Sequence, residues 1–211
     1  MTDWNRIKRF YNDVKTIWLD DGFCVALDGK PVKTPGKRDL VVPVETVANA
    51  IAKEWREQGE NINVNSMPML RLAATAIDRV AVNRQEVDAV TLKFVETDLL
   101  CYRAKQPPEL VVRQAKSWQP LLDWAAEELN APLITTEGIS PVIQPHEALS
   151  AFKTGLMHLS DLELTAVSGI SAATGSLVIG FAVKNGRLTP EEAADTGLLD
   201  ELFQMEKWGG D

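Results

Sequence analysis

The chain has 211 residues and a mass of 23.3 kDa, enough to bury a sizeable core in one large or two small domains without disulfide or metal staples. Its 22 Lys and Arg stand against 30 Asp and Glu, a formal charge of −8, and no basic run exceeds a pair such as Lys37-Arg38; a field of this sign repels a phosphate backbone and excludes nucleic acid as an expected partner. Two cysteines and two histidines are too few for a disulfide framework or the usual four-ligand zinc site, so no metal or cofactor is expected.

Met1-Thr2-Asp3-Trp4 carries neither an apolar signal core nor, with Asp3 and Asp13 interrupting it, an acid-free transit segment. The next forty residues read as β-rich. Thr16–Leu19 and Phe23–Leu27 are apolar runs separated by the turn residues Asp20-Asp21-Gly22, and Asp28-Gly29 marks a second turn. Lys30–Lys33 and Asp39–Val42, with Pro35-Gly36 between them, complete a small antiparallel sheet whose edge Pro31 and the lysines soften. Cys24 and Cys101 sit among apolar neighbours and read as buried, reduced thiols.

After Pro43 the spacing predicts helices. Val44, Val47, Ala48, Ile51, Ala52 and Trp55 form one face, which Gly59 ends. Ser66 is the expected cap of a helix with Pro68 in its first turn and Leu70, Ala73, Ala74, Ile77 and Val80 inward. Asn83 and Glu86 resemble a capping box before a helix through Val87, Val90, Phe94 and Val95. A helix or kinked pair follows around Pro120, with Trp118 and Trp124 as core residues. Asn130 to Pro145 reads as a loop with one short extended piece.

Three helices close the chain, at 147–159, 161–184 and 190–208. The middle one spans Leu164 to Val183 without a charge, long enough to cross a bilayer. Its five Ser and Thr residues and its glycines at 169, 175 and 180, without flanking aromatic belts, favour a helix buried on all sides instead. Thr189-Pro190-Glu191-Glu192 opens the last helix with cap, Pro and box residue in order. The predicted class is α+β: a β-rich module over 1–43 and a larger all-α module over 44–211.

No nucleophile elbow, Walker loop or dinucleotide fingerprint occurs. His146 and His158, at opposite ends of one predicted helix and about 18 Å apart, read as surface or cap residues. Glu96, Asp98 and Arg103 combine acids with an anchoring cation, which keeps open an enzyme or small-molecule-binding domain. The alternative is an internal ion pair that fixes a helix exit. On the terminal helix Leu198, Leu202 and Met205 make one stripe, with Leu199 and Phe203 alongside. Glu201, Gln204 and Trp208 share a second face, a composition suited to protein recognition.

Leu27-Asp28-Gly29-Lys30-Pro31-Val32-Lys33-Thr34-Pro35, Val41-Val42-Pro43 and Ala52-Lys53-Glu54-Trp55 together resemble the N-terminal signature of the Atp-twelve type assembly factors of the F-type ATP synthase. Asp98-Leu99-Leu100-Cys101-Tyr102-Arg103, Trp118-Gln119-Pro120-Leu121-Leu122-Asp123-Trp124 and Asp200-Glu201 with Gln204 and Lys207-Trp208-Gly209 continue it. The resemblance implies a chaperone and not an enzyme. It would bind the free alpha subunit of the catalytic head, shield its subunit interface and yield to the beta subunit. It places the family's essential acidic position on Glu201 and its sensitive tryptophan on Trp55, either in binding or in folding. The chain lacks the extension of mitochondrial members, so a bacterial cytoplasmic protein is expected, or a matrix protein if it is a processed eukaryotic form.

Overall fold

The structure, a computed structural model, describes residues 7–19 and 21–209; the expectations for Met1 to Trp4 and for Asp20 of the first turn lie outside them. The chain divides into two compact units, Met1–Arg84 and Gln85–Asp211.

In the first unit β1 (Val14–Leu19) and β2 (Gly22–Leu27) pair antiparallel, with Val14 opposite Leu27 and Thr16 opposite Val25. The short strands β3 (Lys30–Pro31) and β4 (Val41–Val42) both pair antiparallel with β2, making β2 the centre of the sheet. Cys24 and Val25 are accordingly sealed from solvent. The turn at Asp28-Gly29 has positive φ at both residues, 46° and 79°, the geometry that lets a two-residue connection follow the strand twist.

Helix α1 (Glu45–Arg56) packs on β1 and β2 with Ala48, Ile51, Ala52 and Trp55 buried. The predicted boundary at residue 43 therefore marks the β4–α1 junction, inside the first unit. A 3-10 turn (Val64–Ser66) leads to α2 (Pro68–Thr75), which continues as a π turn through Ala76–Val80. Ser66 does not cap α2, a correction to the sequence expectation. Its hydroxyl donates to the Asn63 carbonyl, and Met67 takes the N-cap position. The buried Glu54 carboxylate does that work from α1, accepting the amides of Met69 and Leu70 at 2.7 and 2.9 Å. A carboxylate placed there satisfies two orphan donors and meets the positive end of the helix.

The second unit is helical, with α3 (Arg84–Glu96) at its start and α4 (Pro108–Glu128) running unbroken across Pro120. Leu110, Trp118, Leu121, Leu122 and Ala125 form the buried ridge of α4, while Trp124 is only half-buried. Between these helices a 3-10 turn (Leu99–Cys101) leads into β5 (Tyr102–Arg103), which pairs parallel with β6 (Thr136–Glu137), the extended piece expected in the loop. Then follow α5 (His146–Met157), α6 (Asp161–Thr174), α7 (Leu177–Lys184), α8 (Pro190–Gly197) and α9 (Leu199–Trp208).

Two predicted helices are each broken. The segment 161–184 folds back at Gly175, whose φ of 70° is left-handed and ends α6, while the Ser176 hydroxyl accepts the Ile179 amide and starts α7. Burial on all sides holds for α7 only; α6 leaves Gly169, Ala172 and Ala173 exposed. No helix among the described residues is long and apolar enough to cross a membrane. The segment 190–208 breaks at Leu198. There the Thr196 carbonyl, which a continuous helix would give to the amide four residues on, accepts Trp118 Nε1–H at 3.0 Å instead.

Candidate functional site

Helix α9 is held on one side and bare on the other. Leu199 and Phe203 are buried. The Arg113 guanidinium of α4 makes two parallel bonds of 2.9 Å to the Glu206 carboxylate and lies 5.2 Å from the Phe203 ring centre, with Lys207 at 5.7 Å. The Arg113 hydrogen bond holds the Glu206 carboxyl below its ordinary value. Beneath them Gln114 Nε2 donates to Asp200 at 2.8 Å while Gln114 Oε1 accepts the Ala104 amide at 2.8 Å. Arg113, Gln114, Asp200 and Glu206 thus fix the register of α9 on α4.

At about 100° per residue this docking turns Leu202, Leu198, Met205, Glu201, Trp208 and Gln204, in that angular order, toward solvent. All six are exposed, Met205 at 56% and Trp208 at 74%. The two faces read from the sequence are therefore one. Only Leu199 and Phe203 go inward, and the stripe of Leu198, Leu202 and Met205 joins Glu201, Gln204 and Trp208 on a single bare surface with an acid at its middle. A helix that keeps a continuous apolar stripe in water has the pattern that helix-in-groove recognition uses.

Trp55 is not on that face. It is buried in the first unit at 8% exposure. Its ring meets Tyr11 edge to face at 5.4 Å, and its carbonyl accepts the Tyr11 hydroxyl at 2.7 Å. Beside it opens a cavity of about 960 Å³ whose lining includes Tyr11, Val32, Leu40, Trp55, Ile62 and Leu70. The composition of the chain gave no sign of this cavity, because its walls come from segments scattered between residues 7 and 74. Glu54 was equally hidden: only its place beside Trp55 on the apolar face of a helix marks it.

Glu96, Asp98 and Arg103 do not converge, which overturns the small-molecule alternative. Glu96 is exposed at the end of α3. Asp98 is fully buried and turned to amides, accepting Leu100 N–H and Val178 N–H at 3.1 Å each. Burial, opposed by hydrogen bonds from the Ser176 hydroxyl and from Val178, Leu100 and Leu177, raises its carboxyl to about 6. Arg103 donates instead to the carbonyls of Leu100 and Gln114, at 2.8 and 3.3 Å, and to Gln119 Oε1. The internal ion pair expected as the alternative does not form either: Asp98 is met by N–H donors at two short helical starts. His146 and His158 are both exposed at the ends of α5. No group of three or more His, Cys, Asp or Glu among the described residues is placed to hold a metal ion.

Comparison with known proteins points one way. Residues 8–126 match the family model described as ATP12 chaperone protein. The mitochondrial protein atp12 of Schizosaccharomyces pombe is 26% identical over 214 aligned positions, covering 96% of this chain and 74% of that protein. The crystal structure of Atp12 from Paracoccus denitrificans superposes with a TM-score of 0.92 at 42% identity, over 97% of this chain and 88% of that one. That of the Atu1473 protein from Agrobacterium tumefaciens superposes with a TM-score of 0.91 at 42% identity, over 97% and 77%.

Proposed function

The chain belongs to the ATP12 chaperone family, and from that membership we propose that it is an assembly chaperone for the F-type ATP synthase, not an enzyme. It binds the free alpha subunit of the catalytic head and covers the apolar surface that the subunit would otherwise expose. It leaves when the beta subunit takes its place. The observation that supports this reading is the bare face of α9, where Leu198, Leu202, Met205 and Trp208 stay in water around Glu201 although α9 is firmly held from behind. An unassembled subunit of an alternating ring exposes a complementary apolar interface and aggregates through it. A stand-in needs an affinity below that of the true neighbour, and no cofactor. The reading places the protein in the bacterial cytoplasm, or in the mitochondrial matrix for a processed eukaryotic form, with no membrane insertion and no nucleic-acid partner.

Light scattering by isolated alpha subunit tests it. The chain is expected to suppress the signal near stoichiometric amounts, and the double variant Leu202→Asp, Met205→Asp to lose most of that protection with an unchanged melting temperature. Full protection by the double variant would remove α9 from the interface.

A further inference from the structure

We propose that the loop 134–144 is a second client-binding element, which presses Ile139 and Ile143 against the apolar subunit interface of the same protein that α9 meets. The identity of that client rests on the chaperone reading above. Ile139 and Ile143 are the two most exposed large apolar side chains among the described residues, at 95% and 93%. Single exposed apolar residues are ordinary on a protein surface. This pair is set apart by how firmly its loop is held and by where the loop stands.

One side chain closes the loop at its base. The buried Gln144 accepts the Ile134 amide at 2.9 Å and donates to the Ile134 carbonyl at 3.0 Å, as a neighbouring strand would. Inside the loop β6 pairs with β5, and the Gly138 amide donates to the Arg103 carbonyl at 2.8 Å. Gly138 then turns the chain with a left-handed φ of 73°, and Pro141 fixes one φ between the two isoleucines. A loop braced in this way holds both side chains in water before a partner arrives and loses little conformational entropy when one binds.

The loop also stands beside α9 within the second unit. Ala104, next to Arg103, donates its amide to Gln114 Oε1 at 2.8 Å, and Gln114 Nε2 donates to Asp200 of α9 at 2.8 Å. Three hydrogen bonds in series join Gly138 to α9, which puts the Gly138 amide within about 13 Å of the Asp200 carboxylate. At about 100° per residue Asp200 lies between the buried Phe203 and the exposed Gln204. The loop thus approaches α9 on the flank that leads to Gln204 and Glu201, and a client lying on the bare face of α9 extends over that flank onto Ile139 and Ile143. A lipid surface is the other host for exposed isoleucines, but the charge of −8 and Glu137 beside the loop tip oppose an anionic bilayer.

The experiment measures binding of the full chain to immobilised alpha subunit. The double variant Ile139→Asp, Ile143→Asp is expected to bind at least roughly tenfold more weakly with an unchanged melting temperature. Ile139→Cys carrying a benzophenone maleimide, in a chain whose two native thiols are buried, is expected to crosslink to alpha subunit on illumination; this second measurement decides the matter if the double variant melts early. Unchanged affinity of the double variant, or a crosslinker that captures no alpha subunit although the chain binds it, would overturn this inference and leave the chaperone reading standing. Sedimentation of the chain, but not of the double variant, with vesicles of phosphatidylcholine and phosphatidylglycerol would assign the isoleucines to a membrane and overturn it as well. Failure of the unaltered chain to bind alpha subunit would overturn the chaperone reading and this inference with it.

Discussion

Asp98 sits fully buried where the 3-10 turn after α3 and the start of α7 both need an acceptor. Its carboxyl is raised by burial from 3.8 to about 6, so the folded chain holds that proton more tightly than the unfolded one. Its contribution to stability is complete below the unfolded value and disappears as the pH rises through about 6. Urea unfolding of the protein and of Asp98→Asn is expected to show their stability difference falling by on the order of 3 kcal/mol between about pH 4 and pH 7; a difference that grows with pH would contradict the burial. Cys101, buried and pushed up to about 12 by desolvation and then by the Asp98 charge, should resist iodoacetamide in the native chain together with the sealed Cys24. Labelling of either thiol before unfolding would contradict this. Trp55→Ala removes a ring buried against Tyr11 and should cost about 3–5 kcal/mol in chemical denaturation. The apolar settings of Cys24, Cys101 and Trp55 were legible in the sequence. The partners of Asp98 and Glu54 were not, since an amide from a distant segment leaves no mark on composition.

Helices were legible by period and misjudged at their joints. Residues 161–184 carry one apolar signal, yet Gly175 and Ser176 supply a left-handed stop and a fresh cap within two positions. At Gly180 the two helices meet so closely that a methyl group would lie 2.7 Å from Ser171 Oγ and 3.1 Å from the Val167 carbonyl. Gly180→Ala is expected to lower stability by about 1–3 kcal/mol, read as a lowered urea midpoint with an unchanged slope. The terminal helix shows the opposite difficulty. Its apolar residues are too many for one face, and periodicity alone does not say which of them a neighbour covers. The Arg113–Glu206 clamp and the Gln114–Asp200 bond decide it, and they join residues at least 86 positions apart. Phe203→Ala should therefore lower the melting temperature while Glu201→Lys should not, and a collapsed melting curve for Glu201→Lys would make that residue structural.

At the scale of the molecule the sheet-then-helices order was readable because turn chemistry and helical period change near Pro43. The cavity was not, because it forms only when β2, β3, α1 and α2 come together within the first unit. The exposed face of α9 is the feature on which the proposed client contact rests. The identity of the client is the decisive point. Size-exclusion chromatography of the chain with separately expressed alpha subunit, followed by addition of beta subunit, measures it directly. A stable complex with alpha at micromolar concentration, releasing the chain when beta is added, is expected. Absence of that complex, or a chain that stays bound to the assembled alpha–beta ring, would contradict it.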